Sequence, residues 1–349
     1  MPDVWLDTVT PKISLIIYSL LPLLHQKDYT TLVTAKKQTQ TTDLLDTLHV
    51  PYHKIGDYGY TIKEKLKVEQ ERTIEFLKLF DRVGYPKVLW AHGDVSAIRT
   101  AFGLKIPIVY ANDTVFATDV AKLVTSLVDY LVAPKCFGKS WTQYGIDRDR
   151  IIHYDGLEEL ALQNMQFEQP VFLKELENRK PVILFRDAEY HASYCGKVQI
   201  NTQELLEKLT QLGTVVVLPR YENEKKRYEG LSNVWLPPKT VLTAQLMPYI
   251  DLVVGSGGSI CRETALNGVP TINFHFWDVQ ARYLHRKGFP IRVLRRIPSI
   301  VRMAKGILLK QKRVDTSAML AKLESPVPKY MSYIKKCLYT MSTGQTQNK

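Results

Sequence analysis

Short apolar runs alternate with helical stretches along most of this chain, and the alternation occurs twice. The runs "VWLD", "TTLVTA", "VPYHKIG", "KVLWAHG", "IPIVYAN", "DYLVAP" and "RIIHY" each have the length of a strand, with helical segments between them. Strands separated by helices cross over and lie parallel, with helices covering both faces of the sheet. A polar stretch, "QNMQFEQPVFLKELENRK", then interrupts the pattern. It restarts with "PVILFRD", "TVVVLPR", "NVWLP", "YIDLVVG" and "PTINF". The expectation is an α/β protein with two Rossmann-like parallel-sheet domains facing a cleft. Residues 1–165 form the first domain, 166–325 the second, and 326–349 a C-terminal helix with a frayed polar tail.

At 349 residues the chain is long enough for two such cores. Its longest apolar run, "ISLIIYSLLPLL", spans Ile13 to Leu24 and contains Pro22. It falls short of the roughly 20 residues a membrane span requires. No basic segment precedes it and no small-residue cleavage site follows, so a buried helix is expected rather than a signal peptide. The four cysteines are far apart and form no CxxC pair, so neither a zinc knuckle nor a disulfide framework is expected, and a reducing cytoplasm fits. A formal net charge of +12 favours anionic partners: nucleotides, phospholipid surfaces or nucleic acid. No helix-turn-helix, ribonucleoprotein or zinc-finger pattern supports nucleic acid, and none is expected as a partner.

Candidate chemistry collects where strands end, the edge at which open α/β sheets bind ligands. Asp7 follows the first strand, Asp94 the fourth, and Asn112 and Asp113 the fifth. Asp7 and Asp94 are the candidate general bases; the alternative is that each caps the next helix. Lys12, Asn112 and Asp113 are candidates for holding an acceptor, against a plain surface lysine and an Asx turn. His92 reads as a packed histidine at a strand end, and "GDYGY" as a mobile loop or a simple turn.

In the second half, Arg186 follows "PVILF", Arg220 follows "VVVLP", and "GSGGSICRETALNGVP" follows "YIDLVV". Gly255, Ser256, Gly257 and Gly258 lie where that last strand gives way to a helix, so unpaired backbone N–H groups there would cradle a diphosphate or merely permit the turn. Arg186 would pin a phosphate or make a surface salt bridge. The basic stretch from Arg282 to Arg313 includes Ile300, Met303, Ala304, Ile307 and Leu308 at helical spacing, which makes a core-facing helix with a charged outer face. That face is solvated or attracts anionic lipid headgroups.

Several of these segments resemble known families. The strand and helix order resembles the GT-B fold of nucleotide-sugar enzymes. "SGGSICRETALNGVP" lines up without a gap on the motif of the N-acetylglucosaminyl transferase that makes lipid II. The resemblance implies that Glu263 grips the ribose hydroxyls of UDP, as a carboxylate can by accepting two charge-assisted hydrogen bonds. "WDVQARYL" resembles that family's Asp-x-Gln segment, which implies donor-sugar contact by Asp278 and Gln280. "HGDVSAIRTAFGLKIPIVYAND" resembles the corresponding segment of UDP-N-acetylglucosamine 2-epimerase, and Asp94 falls on its catalytic aspartate. The epimerase's later Glu falls on Asn112. Its His-Arg-Arg segment falls on "FRD", which keeps Arg186 and loses the histidine. From "WLDTVTPK" onward the chain resembles an uncharacterised GT-B family known mainly from archaea, a domain of unknown function related to glycosyltransferases.

The resemblance implies a metal-independent GT-B-type glycosyltransferase using a nucleotide sugar, with UDP as the nucleotide. The donor is a substrate, and no cofactor is expected. No Asp-x-Asp pair ends a suitable strand, so no metal is expected either. The acceptor would be a glycan or a lipid-linked molecule, and the location cytoplasmic, with peripheral contact at the inner face of the cell membrane as a further option. An epimerase-like enzyme and a non-catalytic nucleotide-sugar-binding protein are the alternatives.

Overall fold

The computed structural model describes every residue except 38, 58, 60, 164, 189–199, 220–221, 257, 276–277, 311 and 343–349. It divides into two compact units: Met1–Gln163 together with Glu324–Lys349, and Asn164–Leu323. Each unit is a parallel sheet wrapped by helices.

The first sheet contains β1 (Val4–Thr8), β2 (Thr31–Ala35), β3 (His53–Lys54), β4 (Val88–Ala91), β5 (Ile108–Ala111), β6 (Tyr130–Pro134) and β7 (Ile151–Tyr154). Their spatial order is β3-β2-β1-β4-β5-β6-β7. The chain starts in the middle, winds outward to β3, then crosses back to β4, so the order reverses between β1 and β4. That reversal leaves a crevice outside the strand ends, where doubly wound sheets hold ligands. Asp7 sits at this point, level with Thr34 of β2 and Ala91 of β4. The "VPYHKIG" run expected as a strand pairs only at His53 and Lys54. It is the sheet edge, and Pro51 has no N–H to extend the ladder.

Local sequence accounts for the covering helices. Pro11 opens the helix Pro11–His25 at a position where a missing N–H costs nothing. Ile13, Ile16, Ile17, Leu20 and Leu24 then form its buried stripe. The helix Ile62–Val83 starts with a capping box: Thr61 accepts from the Glu64 N–H and Glu64 accepts from the Thr61 N–H. Gly84, at φ 91°, ends it in a conformation glycine adopts freely. The helix Val327–Ser342, which the sequence sets apart as a C-terminal segment, packs into this unit. Tyr330, Ile334 and Cys337 join Ile17, Val109 and Trp90 in one core. The Trp90 and Tyr330 rings meet edge-on at 5.4 Å. The return is pinned where the Asp155 N–H donates to Glu324 Oε2 at 2.8 Å and the Glu324 N–H donates to the Asp155 carbonyl at 3.0 Å.

The second sheet contains β8 (Val182–Arg186), β9 (Thr214–Val217), β10 (Val234–Trp235), β11 (Leu252–Gly255), β12 (Thr271–Asn273) and β13 (Ile291–Val293). Its order, β10-β9-β8-β11-β12-β13, repeats the winding of the first, with the reversal between β8 and β11. The polar stretch before it holds a 3-10 helix, Val171–Arg179. The helix Ile297–Lys310 buries Ile300, Ala304 and Leu308, four residues apart, against Phe185, Val254 and Ile272. Both units therefore have the expected Rossmann-like parallel architecture. Among the described residues no helix is long and apolar enough to cross a membrane.

Candidate functional site

Each unit gathers its candidate residues at its own point of strand reversal. In the first, Arg72 organises the site. It lies on the buried stripe of the helix Ile62–Val83 with Val68 and Phe76. Its Nη2 is 2.7 Å from Asp7 Oδ1, its Nη1 is 2.5 Å from Asp94 Oδ2, and its Nε donates to the Ile55 carbonyl at 2.9 Å. Thr34 Oγ1 also donates to Asp7 Oδ1, at 2.5 Å, and takes a hydrogen bond from Trp5 Nε1 at 2.7 Å. Asp94 is the N-cap of the helix Val95–Gly103, where its Oδ1 accepts from the Ala97 N–H at 2.6 Å. Asp7 does not cap the first helix; it stays within β1.

Both carboxylates are thus tied to one buried guanidinium. Asp7 is 1% exposed, and its Oδ2 has no hydrogen-bond partner. Burial pushes its carboxyl up, to about 6; Arg72 opposes the rise and the Asp94 charge adds to it. Asp7 therefore holds a proton more readily than an isolated aspartate does.

A second cluster lies along the same sheet edge. Lys12 Nζ is 2.8 Å from Asp113 Oδ2 and 2.7 Å from Glu158 Oε2. His92 Nε2 is 3.0 Å from Glu158 Oε2 and 3.6 Å from Asp113 Oδ1. Glu158 begins the 3-10 helix after β7 and is fully buried. Burial alone would lower the His92 pKa, but the Glu158 carboxylate and the bonds to Asp113 and Glu158 override it and push it up to about 9. At neutral pH the ring is an imidazolium, able to donate a proton or face an anion. Asn112 forms the Asx turn: its Oδ1 accepts from the Thr114 N–H at 2.6 Å, and its Nδ2 donates to the Tyr110 hydroxyl.

This cluster also contains a metal-like donor set. Ligand atoms of His92, Asp113 and Glu158 lie within 4.8 Å of one another. The Lys12 ammonium bridges the two carboxylates and, together with the His92 ring, balances their charge. Lys12 is therefore an ion-pair partner in place of a plain surface lysine, and His92 is packed at the end of β4, paired with Glu158.

In the second unit, Arg186 at the end of β8 lies level with Gly255 at the end of β11. The strands approach closely: a Cβ on Gly255 would stand 3.0 Å from Arg186 Cβ. The Ser256 N–H donates to the Arg186 carbonyl at 3.0 Å, and Arg186 Nη1 donates to the Leu218 carbonyl. The helix Gly258–Leu266 starts immediately beyond and carries Glu263, half-buried, in its second turn. Gly257 and Arg220 lie outside the described residues, as do Tyr58 and Tyr60 of "GDYGY".

A chain of polar contacts runs on from Ser256. Its hydroxyl is 3.2 Å from His275 Nδ1, and the His275 N–H donates to Asn273 Oδ1 at 2.7 Å. Asn273 Nδ2 donates to Asp278 Oδ2 at 2.8 Å. Asp278 is the N-cap of the helix Val279–Arg286, accepting from the Ala281 N–H at 2.8 Å. Arg262 Nη1 donates to Gln280 Oε1 at 3.0 Å and lies 3.6 Å from Asp278 Oδ1. Asp278 and Gln280 are 3% and 1% exposed, so their polar atoms brace this loop from inside.

The sequence reading missed Arg72, Arg262 and Glu158. Only Arg72 left a signal: a charged residue four positions from Val68 and from Phe76, on an otherwise apolar stripe.

Comparison with known proteins adds a family. The model of the family "Protein of unknown function (DUF354)" matches residues 2–327. The chain belongs to this family. A relative of this DUF354 chain is the "Uncharacterized protein MJ0665" of Methanocaldococcus jannaschii, 28% identical over 280 residues, which cover 78% of this chain and 81% of the relative. Among solved structures, the UDP-GlcNAc 2-epimerase of the same organism, in complex with UDP-GlcNAc and UDP, superposes with a TM-score of 0.70. It is 15% identical and covers 95% of this chain and 99% of that one. The spinosyn forosaminyltransferase SpnP superposes with a TM-score of 0.54 at 15% identity, covering 96% and 99%. These likenesses establish a GT-B-like fold for the DUF354 chain.

Proposed function

We propose that this chain is a metal-independent glycosyltransferase of the GT-B fold that takes its sugar from a nucleotide donor, with UDP as the nucleotide. The observation that carries this reading is the reversal point of the second sheet. There a glycine turn opens a helix beside Arg186, with Glu263 one turn along. Helix N-terminal N–H groups and a guanidinium suit a diphosphate, and a carboxylate suits a ribose diol. UDP in a solved structure of the same fold supports the choice of nucleotide.

The first unit supplies the acceptor side. The acceptor oxygen attacks the anomeric carbon as the bond from that carbon to the phosphate oxygen breaks, and the bonding electrons leave with the nucleoside diphosphate. The acceptor's proton passes to the Asp7–Asp94 pair, with Arg72 holding both carboxylates in place. Lys12, paired with Asp113, orients the acceptor, while Asn112 shapes the loop through its Asx turn. Transfer is favoured over epimerisation because Asn112, where the epimerase family has a Glu, cannot carry a proton.

Calorimetric titration with UDP, GDP, CDP and TDP tests the nucleotide. Incubation with UDP-sugars, with and without acceptors, tests the reaction. An epimer formed without acceptor would overturn transfer, and UDP binding without turnover across an acceptor library would leave a binding protein. Glu263→Ala is expected to weaken UDP binding by about 1–3 kcal/mol. An unchanged affinity removes Glu263 from the site.

A further inference from the structure

Between Asp278 and Asp315 the chain carries eleven Arg and Lys residues and no Asp or Glu. This segment alone nearly equals the formal net charge of +12. The fold focuses part of it on one place. β13 is the edge strand of the second sheet. The helix before it places Arg282 and His285 three residues apart, hence on one face. The strand adds Arg292, the turn after it adds Arg295 and Arg296, and the next helix adds Ser299. Together they line a cavity of about 520 Å³ with four guanidinium groups and no carboxylate.

Like charges gathered around one cavity repel one another, and the arrangement is relieved when an anion enters. Among the described residues no carboxylate pairs with Arg282, Arg292 or Arg296. Arg292 Nη1 instead meets His285 Nδ1, and it also donates to the Ile291 carbonyl at 3.1 Å. A ring nitrogen that accepts from a guanidinium is a neutral imidazole, so His285 braces Arg292 without adding charge. Planar guanidinium forks match the oxygens of a phosphate group two at a time. The volume exceeds what a single inorganic ion would fill.

We infer that this cavity is a binding site for a phosphate-bearing anion, presented either free in solution or on a lipid headgroup. The inference stands apart from the nucleotide-sugar reading, because neither Arg186 nor Glu263 lines the cavity.

The test uses the full chain at low salt. Inorganic pyrophosphate is titrated calorimetrically, and phosphatidylcholine vesicles with and without phosphatidylglycerol are sedimented with the protein. Arg292 and Arg296 are exposed, so R292A/R296A leaves the core intact. K63A/K65A, on the exposed start of the helix Ile62–Val83, removes the same charge elsewhere and serves as control. R292A/R296A is expected to weaken pyrophosphate binding ~10-fold or more, with the control within about 2-fold of the parent. Pyrophosphate binding without vesicle binding identifies a free phosphate ligand; vesicle binding that pyrophosphate displaces identifies a headgroup. Binding of neither probe by the parent chain overturns the site, as does R292A/R296A binding as tightly as the control.

Discussion

Replacing Arg72 with Met is expected to destabilise the first unit by about 3–5 kcal/mol. Methionine fills much of the same space, so loss of packing is not the main cost. The cost comes from Asp7 and Asp94, which share this one guanidinium, with Asp7 almost wholly buried. Two carboxylates left without their cation must protonate or admit water. Urea unfolding of the full chain, followed by tryptophan fluorescence, reads the change, since Trp5 stacks edge-on against Phe76 beside this site. Adding Asp7→Asn to the Arg72→Met chain removes one orphaned charge and is expected to restore part of the loss. A midpoint for Arg72→Met matching the parent would mean that the guanidinium contributes nothing net to the fold.

The second large effect is a pH dependence. The folded His92 pKa is raised from 6.5 to about 9. The folded state therefore holds this proton more tightly than the unfolded chain. Its stabilisation is complete below about pH 6.5 and is lost as pH rises through about 9, on the order of 3 kcal/mol across the window. Glu158 is the main source of the rise, so Glu158→Gln is expected to flatten the slope, and His92→Gln to remove it. Unfolding free energies measured at steps from pH 6 to pH 10 check this. A slope that survives His92→Gln would assign the titration to another group. Asp7 acts over a different window: its raised pKa gives stability that is full below about 3.8 and is lost as pH rises through about 6.

The architecture was legible because it depends on local signals. Strand-length apolar runs, a capping box at Thr61 and Glu64, Pro11 at a helix start and Gly255 at a strand end are each visible within a few residues. Rossmann-like winding follows from their order. The ion-pair partners were not legible. Glu158 meets Lys12 across 146 positions and His92 across 66, and nothing in "LEEL" distinguishes a buried carboxylate from an exposed one. Lys12 and His92 were singled out, but their partners decide what they are. Asp278 and Gln280 show the same limit from the other side. A motif located them, and their burial against Arg262 and Asn273 appears only once the chain is folded.

The closing helix of the first unit sets an order of events during synthesis. Tyr330, Ile334 and Cys337 complete a core that begins with Val4, and the whole second unit lies between them in the chain. As the polypeptide leaves the ribosome, the later sheet has all its strands before the earlier one has its final covering helix. Until then the Trp90 ring lacks its Tyr330 neighbour. A released chain that ends near residue 325 would thus keep the second unit whole and leave the first without this cover, and the apolar face left uncovered is where a holdase chaperone would bind.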